Sequence, residues 1–374
     1  MVIDSAGPNG APYSAAAAPN RSLEGHKLLL LIPEAPPQEY LDRLHTNFPG
    51  LEVVYHRLDW RETKTQTLFP EEEWKDITIL LASGNALPTK DLAPKLQYVQ
   101  LMSAGANHVL KNPLFSDTDI AFCTANGVHG PQISEWVITT FLAFQHHIPH
   151  YLDLQRQGKW QRSHTIVDDA VGQRVGILGY GSIGRQVARV AKALGSDVHA
   201  YTLHPRNTPE SRRDESYTPP GLGDPEGVLP SKWFSGDTKE ELHSFLSSGL
   251  DLLVVSLPLT DKTTHLLSAP EFQILSAKKT FVSNIARGPI VDTADLIEAL
   301  DTGLIRGAAL DVTDPEPLPD GHALWGAKNV IVTPHVSGAS TAYNQRVFAI
   351  LEHNLGRFSE GKGLTNRVSR RDGY

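Results

Sequence analysis

The sequence predicts an α/β protein built from two doubly wound parallel sheets. In both halves of the chain, short apolar runs of strand character alternate with helical patterns, which is typical of parallel strands joined by helices. The length of 374 residues fits two domains, since a domain usually has roughly 100–200 residues. A glycine-rich turn, GYGSIG at 179–184, stands between a predicted strand at 175–179 and a helical run at 185–194, which predicts a nucleotide site in the second domain.

Each glycine of this turn has a separate requirement to meet. Gly179 permits the tight turn, Gly181 lets the backbone approach a pyrophosphate, and Gly184 lets the helix pack closely on the strand. The N-terminus of the helix adds N–H donors for phosphates. Such turns also occur in ordinary α/β domains, so the prediction of a dinucleotide site depends on the context, which ends with another strand at 197–201.

Composition excludes several classes of protein. A net charge of −8 argues against nucleic-acid binding, and no apolar run approaches the roughly 20 residues of a membrane span. The single cysteine, Cys123, cannot form an internal disulfide and fits a reducing, cytoplasmic compartment. Residues 1–22 are rich in Ala, Pro, Gly, Ser and Asn, which predicts a disordered lead-in.

The first domain is predicted to contain five strands, at 27–33, 51–55, 76–81, 96–101 and 120–124, and an early helix at 37–48. A long amphipathic helix is expected to follow and to reach about residue 148. We place the domain boundary at 124–127, so that the first domain comprises 23–125 and 342–374 and the second comprises 126–341.

Two later parts of the chain complete this organisation. The stretch 205–236 is dense in Pro, Gly, Asp and Ser, which predicts a long irregular insertion in the second domain. A C-terminal helix over about 340–358 is expected to return to the first domain.

Polar residues follow three predicted strands of the second domain. Arg287 follows the strand that begins at Phe281, Asp311 and Glu316 follow the strand that begins at Gly307, and His335 follows the strand at 329–333. Ligands of open parallel sheets bind at the carboxyl ends of the strands. These side chains are therefore expected at the edge where the glycine turn places a cofactor.

The chemistry of these residues is complementary. Arg287 can give two parallel hydrogen bonds to a carboxylate, His335 can exchange a proton near neutral pH, and Glu316 can orient the imidazole. A single strand-end histidine is more often structural, and a single loop Arg or Glu is usually solvated. The convergence of all three after a dinucleotide turn favours catalysis.

The chain resembles the D-isomer-specific 2-hydroxyacid dehydrogenase family over about residues 75–345. The resemblance rests on a set of motifs in a fixed order: Ser103–Gly105, Gly127 with Glu135, 179–184, 251–260 followed by Thr264 and His265, 284–288 with Val291 and Asp292, 310–318, and 333–335. It implies a Rossmann-like cofactor domain at 126–341 and a flavodoxin-like substrate domain, with a cleft between them that closes around substrate. It also implies a homodimer built through the linker helix, which is the long helix whose opening Gly127 and Glu135 match.

The resemblance also implies roles for individual residues. Arg287 would bind the 2-oxo acid, His335 would donate the proton and Glu316 would be its partner. The loop Ser103, Ala104 and Gly105 would hold the substrate carboxylate. The residues expected to bind the cofactor are Gly179, Tyr180, Gly181, Ser182, Ile183, Gly184, Thr202, His204, Arg206, Leu257, Pro258, Thr264, Ile285, Ala286 and Asp311, of which Asp311 would face the nicotinamide carboxamide. No metal site is expected.

One departure from the family pattern concerns the choice of cofactor. Most members end the second strand of the cofactor domain with Asp, which accepts hydrogen bonds from the adenine ribose and repels a 2′-phosphate. Here Thr202 takes that position, and His204 and Arg206 follow it. Loss of the acid and gain of cationic groups favour NADP, with NAD as the alternative.

Three functions remain open at this stage. The leading prediction is NAD(P)H-dependent reduction of a 2-oxo acid to a D-2-hydroxy acid, and a glyoxylate/hydroxypyruvate reductase of the same family is an alternative within it. A nucleotide-sensing, co-repressor-like binding protein could use the same fold, although little chain follows the predicted last helix. An enzyme of the family acting on formate or phosphite is a third possibility, which the ordinary Arg–Glu–His set does not favour.

Overall fold

The structure, a computed structural model, describes residues 19–58, 69–83, 86–162 and 166–371. The chain divides into two compact units, unit 1 (Met1–Asn126 and Asn344–Tyr374) and unit 2 (Gly127–Tyr343). Of the predicted lead-in at 1–22, residues 1–18 lie outside the described part. The prediction of disorder was wrong for 19–22, because the Asn20 amide donates to the carbonyl of Ser359 at 2.8 Å and the Ser22 carbonyl accepts from Gly50 at 2.8 Å.

Unit 1 contains a five-stranded parallel sheet in the order β2-β1-β3-β4-β5. Its strands are β1 (Lys27–Ile32), β2 (Glu52–Arg57), β3 (Ile79–Ala82), β4 (Tyr98–Leu101) and β5 (Ala121–Cys123), and its helices before residue 126 are α1 (Gln38–Asn47), α2 (Glu71–Trp74) and α3 (Pro113–Ser116). The order is that of flavodoxin-like folds. Leu28 to Ile32 are all buried, as expected for a central parallel strand that is covered on both faces.

Unit 2 contains a seven-stranded parallel sheet in the order β12-β11-β10-β9-β6-β7-β8, which is the Rossmann order extended by one strand. Its strands are β6 (Arg174–Leu178), β7 (Asp197–Thr202), β8 (Lys232–Ser235), β9 (Leu252–Val255), β10 (Phe281–Asn284), β11 (Gly307–Leu310) and β12 (Val330–Val332). Its helices are α4 (Gly130–Gln145), α5 (Ile148–Arg156), α6 (Ser182–Ala193), α7 (Pro209–Arg212), α8 (Lys239–Leu246), α9 (Ala269–Leu275) and α10 (Thr293–Asp301). The predicted fold class is confirmed.

The last helix, α11 (Tyr343–Ser359), corresponds to the helix predicted at 340–358. Its residues from Asn344 onward belong to unit 1, where the buried Asn354 amide donates to Gln100 Oε1 at 3.3 Å. The same oxygen accepts from the Tyr98 hydroxyl at 2.5 Å. Helix α11 is therefore joined to β4 by buried hydrogen bonds, which require a more specific geometry than apolar packing.

Two sequence predictions need correction. The stretch 205–236 is not irregular throughout, because it contains α7 and ends in β8, which pairs with β7 as the edge strand of the sheet. The long helix predicted to reach residue 148 ends at Gln145. His147 takes a left-handed conformation (φ 55°), and Pro149 then occupies the first turn of α5, where a missing N–H is tolerated.

The carboxyl ends of the central strands of unit 2 are aligned. Leu178 pairs with Val255, Val255 with Asn284, Asn284 with Leu310, and Leu310 with Val332, so all five lie in one row across the sheet. The residues that follow this row therefore emerge at one edge. Within the described ranges, no helix is both long enough and apolar enough to cross a membrane.

Candidate active site

The glycine turn after β6 meets the three requirements expected of a dinucleotide-binding turn. Gly179 has φ +101°, and a Cβ there would lie 2.8 Å from the Ser256 carbonyl oxygen. A Cβ on Gly184 would lie 2.5 Å from the carbonyl oxygen of Gly179. A Cβ on Gly181 would meet nothing within 4 Å, so this face of the turn is open to a ligand. Side chains at the first and third positions would clash with the protein, whereas the second glycine leaves room for a pyrophosphate.

The start of α6 fits an anionic group. Gly181 is the N-cap residue, and it makes no side-chain hydrogen bond to this end of the helix. The first amides of the helix and its dipole can therefore act on a phosphate. Ser182 and Ile183 lie in this first turn and are partly buried.

Tyr180 points into the protein, and its hydroxyl donates to Asp224 Oδ2 at 2.8 Å. Burial, with the nearby Asp224 charge, raises the pKa of this phenol well above its ordinary value, so it remains a donor.

The loop after β9 lies against the glycine turn. The Ser256 hydroxyl donates to the Gly179 carbonyl at 2.7 Å, and the Leu257 amide nitrogen would lie 3.0 Å from a Cβ on Gly179. Leu257 is partly buried and Pro258 is exposed. The turn and this loop flank the point where the strand order reverses, between β6 and β9, which is where ligands of doubly wound sheets bind.

Arg287 follows β10 in a loop that is fixed from within. Asn284 is buried, donates through Nδ2 to the Arg287 carbonyl at 3.0 Å, and accepts through Oδ1 from the Ala286 amide at 3.1 Å. A Cβ on Gly288 would lie 1.9 Å from the Thr313 carbonyl oxygen, so this loop touches the loop that leads to Glu316. The Arg287 side chain is half-buried. Its guanidinium donates through Nη1 to the Ala286 carbonyl at 2.6 Å, so its position depends on the backbone of this loop.

His335 and Glu316 are brought together by the loops after β12 and β11. His335 Nδ1 lies 2.6 Å from Glu316 Oε1, while Glu316 Oε2 accepts a long hydrogen bond of 3.4 Å from the Thr313 amide. The two side chains are 50% and 40% exposed, so the pair can exchange protons with solvent. A carboxylate on Nδ1 selects the tautomer with the proton on that nitrogen, which leaves Nε2 as the nitrogen that can act on a substrate.

Asp311 supports the loop that follows β12. Its buried carboxylate accepts from the Thr333 hydroxyl at 2.5 Å and from the amides of Val336 and Ser337 at 2.9 Å each. These contacts hold the loop that carries His335. A contact of Asp311 with a nicotinamide carboxamide stays a prediction.

The end of β7 carries the residues predicted to select the cofactor. The Thr202 hydroxyl donates to the carbonyl of His204 at 2.8 Å, and the His204 side chain is exposed. Arg206 is half-buried and donates through Nη1 to the Ser211 carbonyl. Arg206 is therefore part of a folded segment rather than a free side chain, and its role toward a 2′-phosphate stays a prediction.

The remaining predicted residues lie at strand ends or in neighbouring loops. Ile285 and Ala286 are buried directly after β10, and Thr264 is exposed and donates to the Thr260 carbonyl at 3.0 Å. In unit 1, the loop Ser103–Gly105 follows β4, and the Ser103 hydroxyl donates to the Gly105 carbonyl at 2.8 Å. Within the part of the chain that the structure describes, no cluster of three or more His, Cys, Asp or Glu side chains could hold a metal ion.

Sequence reasoning did not identify three supporting residues, Asn284, Thr333 and Asp224. Asn284 and Thr333 lie inside the family motifs at 284–288 and 333–335, so their place in these motifs could have indicated a supporting role. Asp224 lies within the stretch predicted to be irregular, 44 residues from its partner Tyr180, and nothing in the local sequence indicates the contact.

Fold and site together define a nicotinamide-dependent oxidoreductase. The family model for the NAD-binding domain of D-isomer specific 2-hydroxyacid dehydrogenases matches residues 138–220 and 231–337. The chain belongs to this family, which confirms the resemblance seen in the motifs.

Individual relatives agree with the family match. Glyoxylate reductase of Aeropyrum pernix is 31% identical over 287 residues, which cover 74% of this chain and 78% of the relative. A D-isomer specific 2-hydroxyacid dehydrogenase from Xanthobacter autotrophicus, solved with NADPH and MES, aligns with a TM-score of 0.72 at 28% identity and covers 93% of this chain and 99% of that chain. An NADPH-dependent glyoxylate/hydroxypyruvate reductase from Sinorhizobium meliloti, solved with NADP and sulfate, aligns with a TM-score of 0.68 at 27% identity and covers 93% and 100% of the two chains.

Proposed function

We propose that this protein reduces a small 2-oxo acid to the D-2-hydroxy acid and uses NADPH in preference to NADH. The observation that carries the proposal is the 2.6 Å contact between His335 Nδ1 and Glu316 Oε1. The pair follows the same row of strand ends as Arg287 and the glycine turn. A proton donor, a carboxylate-binding cation and a dinucleotide turn at one sheet edge are what this reaction requires.

In the proposed mechanism, the Arg287 guanidinium binds the substrate carboxylate and polarises the adjacent carbonyl. A nicotinamide cofactor held at the glycine turn, 179–184, would supply the hydride that the carbonyl carbon receives. His335 Nε2 gives its proton to the carbonyl oxygen, so that the C=O group becomes CH–OH. Glu316 stabilises the imidazolium before this transfer and keeps the Nδ1 proton in place afterwards. The half-exposed His335 is then reprotonated from solvent.

The preference for NADPH is supported by the end of β7. No carboxylate occupies position 202, so the repulsion that excludes a 2′-phosphate is absent, and Arg206 lies four residues further on. Neighbours solved with NADPH or NADP favour the same choice. We expect Arg206→Ala to raise the Kd for NADPH about tenfold and to leave the Kd for NADH nearly unchanged, because only NADPH carries the 2′-phosphate that this cation would bind. Nicotinamide fluorescence titrations measure both constants, and an equal effect on the two cofactors would contradict the assignment.

Glyoxylate and hydroxypyruvate are the first substrates to test, because relatives named for these two activities align over most of the chain. NADPH oxidation is followed with a panel of 2-oxo acids, using wild type and Arg287→Lys. Lysine keeps the charge but loses the bidentate geometry, so kcat/KM should fall about 100-fold, mainly through KM. Absence of turnover with every 2-oxo acid in wild type would refute the proposal.

We also propose that the protein forms a homodimer through the segment that follows α4. Ile148 and Leu152 lie four residues apart on α5 and are each 44% exposed, while Trp160 and Ile166 are 96% and 93% exposed. Large apolar side chains that are this exposed and close in sequence indicate an interaction surface. Continuity with the linker helix favours a second copy of this chain as the partner.

A further inference from the structure

The stretch 205–231, predicted to be irregular, is folded onto the cofactor turn. Inside it, Thr208 and Ser211 form a capping box on α7, and the Asp214 amide donates to the Pro225 carbonyl at 2.8 Å. A Cβ on Gly227 would lie 2.5 Å from the Arg212 carbonyl oxygen, so the two arms of the segment are in contact. The segment therefore has its own internal structure and can support a neighbour.

Asp224 is the residue of this segment that faces the glycine turn. It is 3% exposed, and its carboxylate accepts hydrogen bonds from three sources. The amides of Val228 and Leu229 donate at 3.0 and 3.1 Å from within the segment, and the Tyr180 hydroxyl donates at 2.8 Å from the turn. Tyr180 stands between Gly179, which has the left-handed φ, and Gly181, whose outer face is open.

A second set of contacts joins the segment to the first turns of α6. Arg185 is buried, lies 5.0 Å from the centre of the Tyr180 ring, and donates to the carbonyls of Asp224 and Arg212. Gln186 Oε1 accepts from the Gly223 amide at 2.7 Å, and Arg189 Nε donates to the Gly223 carbonyl at 2.7 Å. The segment thus contacts both the turn and the helix whose N-terminus would receive a phosphate.

We propose that Asp224 is a positioning residue for cofactor binding: through the Tyr180 hydroxyl it fixes the backbone of the turn between Gly179 and Gly181. The open face of Gly181 is useful only if the turn keeps its shape, because a small displacement there removes contacts with a pyrophosphate. The inference rests on the nicotinamide cofactor of the family and is independent of the proposed substrate and of the preference for NADPH. Both cofactors carry the same pyrophosphate, so they should respond alike.

The test is Tyr180→Phe, which keeps the ring and removes only the hydroxyl. We expect the Kd values for NADPH and NADH, measured by nicotinamide fluorescence, each to rise about fivefold or more. Arg206→Ala, by contrast, should affect NADPH alone, so a failure of the preference for NADPH is distinguishable from a failure of this proposal.

The matched control is Tyr98→Phe in unit 1. Tyr98 is also a buried tyrosine whose hydroxyl donates to a buried side chain, that of Gln100. This variant should lower the Tm without changing either cofactor Kd. The proposal is overturned if Tyr180→Phe binds both cofactors as wild type does, or if Tyr98→Phe weakens binding equally.

A double-mutant cycle with Asp224→Asn tests whether the two residues act together. The double variant should bind cofactor no more weakly than the weaker-binding single variant, since both changes remove the same contact. If the factors by which the two single substitutions raise the cofactor Kd multiply in the double variant, the proposal is overturned. The amides of Val228 and Leu229 also donate to the Asp224 carboxylate. If Asp224→Asn does not fold for that reason, the cofactor Kd values of Tyr180→Phe test the proposal by themselves.

Discussion

His335 adopts a left-handed backbone conformation (φ 54°), which is uncommon for residues other than glycine and asparagine. The adjacent contacts account for it. The His335 amide donates to the Asp311 carbonyl at 2.8 Å, while the Asp311 carboxylate accepts from Thr333, Val336 and Ser337 on both sides. One buried residue thus fixes the loop that aims the imidazole at its site.

This arrangement predicts the effect of Asp311→Asn. An amide can accept from only part of the present donors, so the loop should loosen and kcat should fall about tenfold, while the Kd for NADPH changes less than about twofold. Steady-state kinetics and cofactor titration measure the two quantities. Asp320→Asn, an exposed acid in the neighbouring loop, is the control. A higher Kd with normal kcat would instead support the carboxamide role implied by the family.

At the scale of elements, helices α8 and α9 are joined by a buried carboxylate. Glu271 Oε1 receives Lys239 Nζ and His243 Nε2 from α8, each at 2.8 Å, and Oε2 receives the amide and hydroxyl of Ser268 in a capping box. Burial raises the pKa of Glu271, but the hydrogen bonds from Lys239, His243 and Ser268 outweigh it and lower the pKa to about 2. The charged form is therefore favoured in the folded protein.

The lowered pKa of Glu271 predicts a pH-dependent contribution to stability. A carboxyl group whose folded pKa lies below its unfolded value stabilises the fold above the unfolded pKa, and this stabilisation is lost as pH falls toward the folded pKa. Glu271→Gln should therefore lower the free energy of unfolding by about 1–3 kcal/mol near pH 7, and by less near pH 3. Urea denaturation at both pH values measures this, with the exposed Glu240→Gln as control. A loss of unfolding free energy that is the same at both pH values would show that the charge of Glu271 contributes little to stability.

The elements that the sequence predicted well are those with strong local signals. The turn at 179–184 and the apolar strand β1 are examples, because glycine spacing and buried runs are local properties. Strand β8 was missed because only Trp233 and Phe234 give it an apolar signal, and its strand conformation depends on pairing with β7. The break between α4 and α5 was also missed, although Pro149 offered a usable signal.

At the scale of the whole molecule, the chain consists of two units that each have a doubly wound sheet. The fold class and the row of strand ends that bears Arg287, Glu316 and His335 followed from the sequence and the family motifs. The contacts that hold the neighbouring loops and the glycine turn in place did not follow from the sequence, because contacts such as Tyr180–Asp224 join positions far apart in the chain. Predicting them requires knowledge of how the segment 205–231 folds.

The proposed dimer is testable at this scale. Trp160→Ser with Ile166→Ser removes the two most exposed apolar side chains of the segment, so the surface that would hold a second copy should weaken. Light scattering coupled to size exclusion should then give the mass of one chain, whereas wild type should give the mass of two. The control is Trp325→Ser, which changes a tryptophan that is 53% exposed elsewhere in unit 2. This variant should still give the mass of two chains. A wild-type protein with the mass of one chain would contradict the proposal.

The most direct test of the central claim is the rate of His335→Ala with NADPH and the best 2-oxo acid from the panel. Removal of the proton donor should lower kcat by about 10²–10⁴-fold, while the Kd for NADPH stays within about twofold of wild type, because the glycine turn is untouched. Glu316→Gln should show a smaller loss in the same direction. A His335→Ala variant that retained the wild-type kcat would contradict the account.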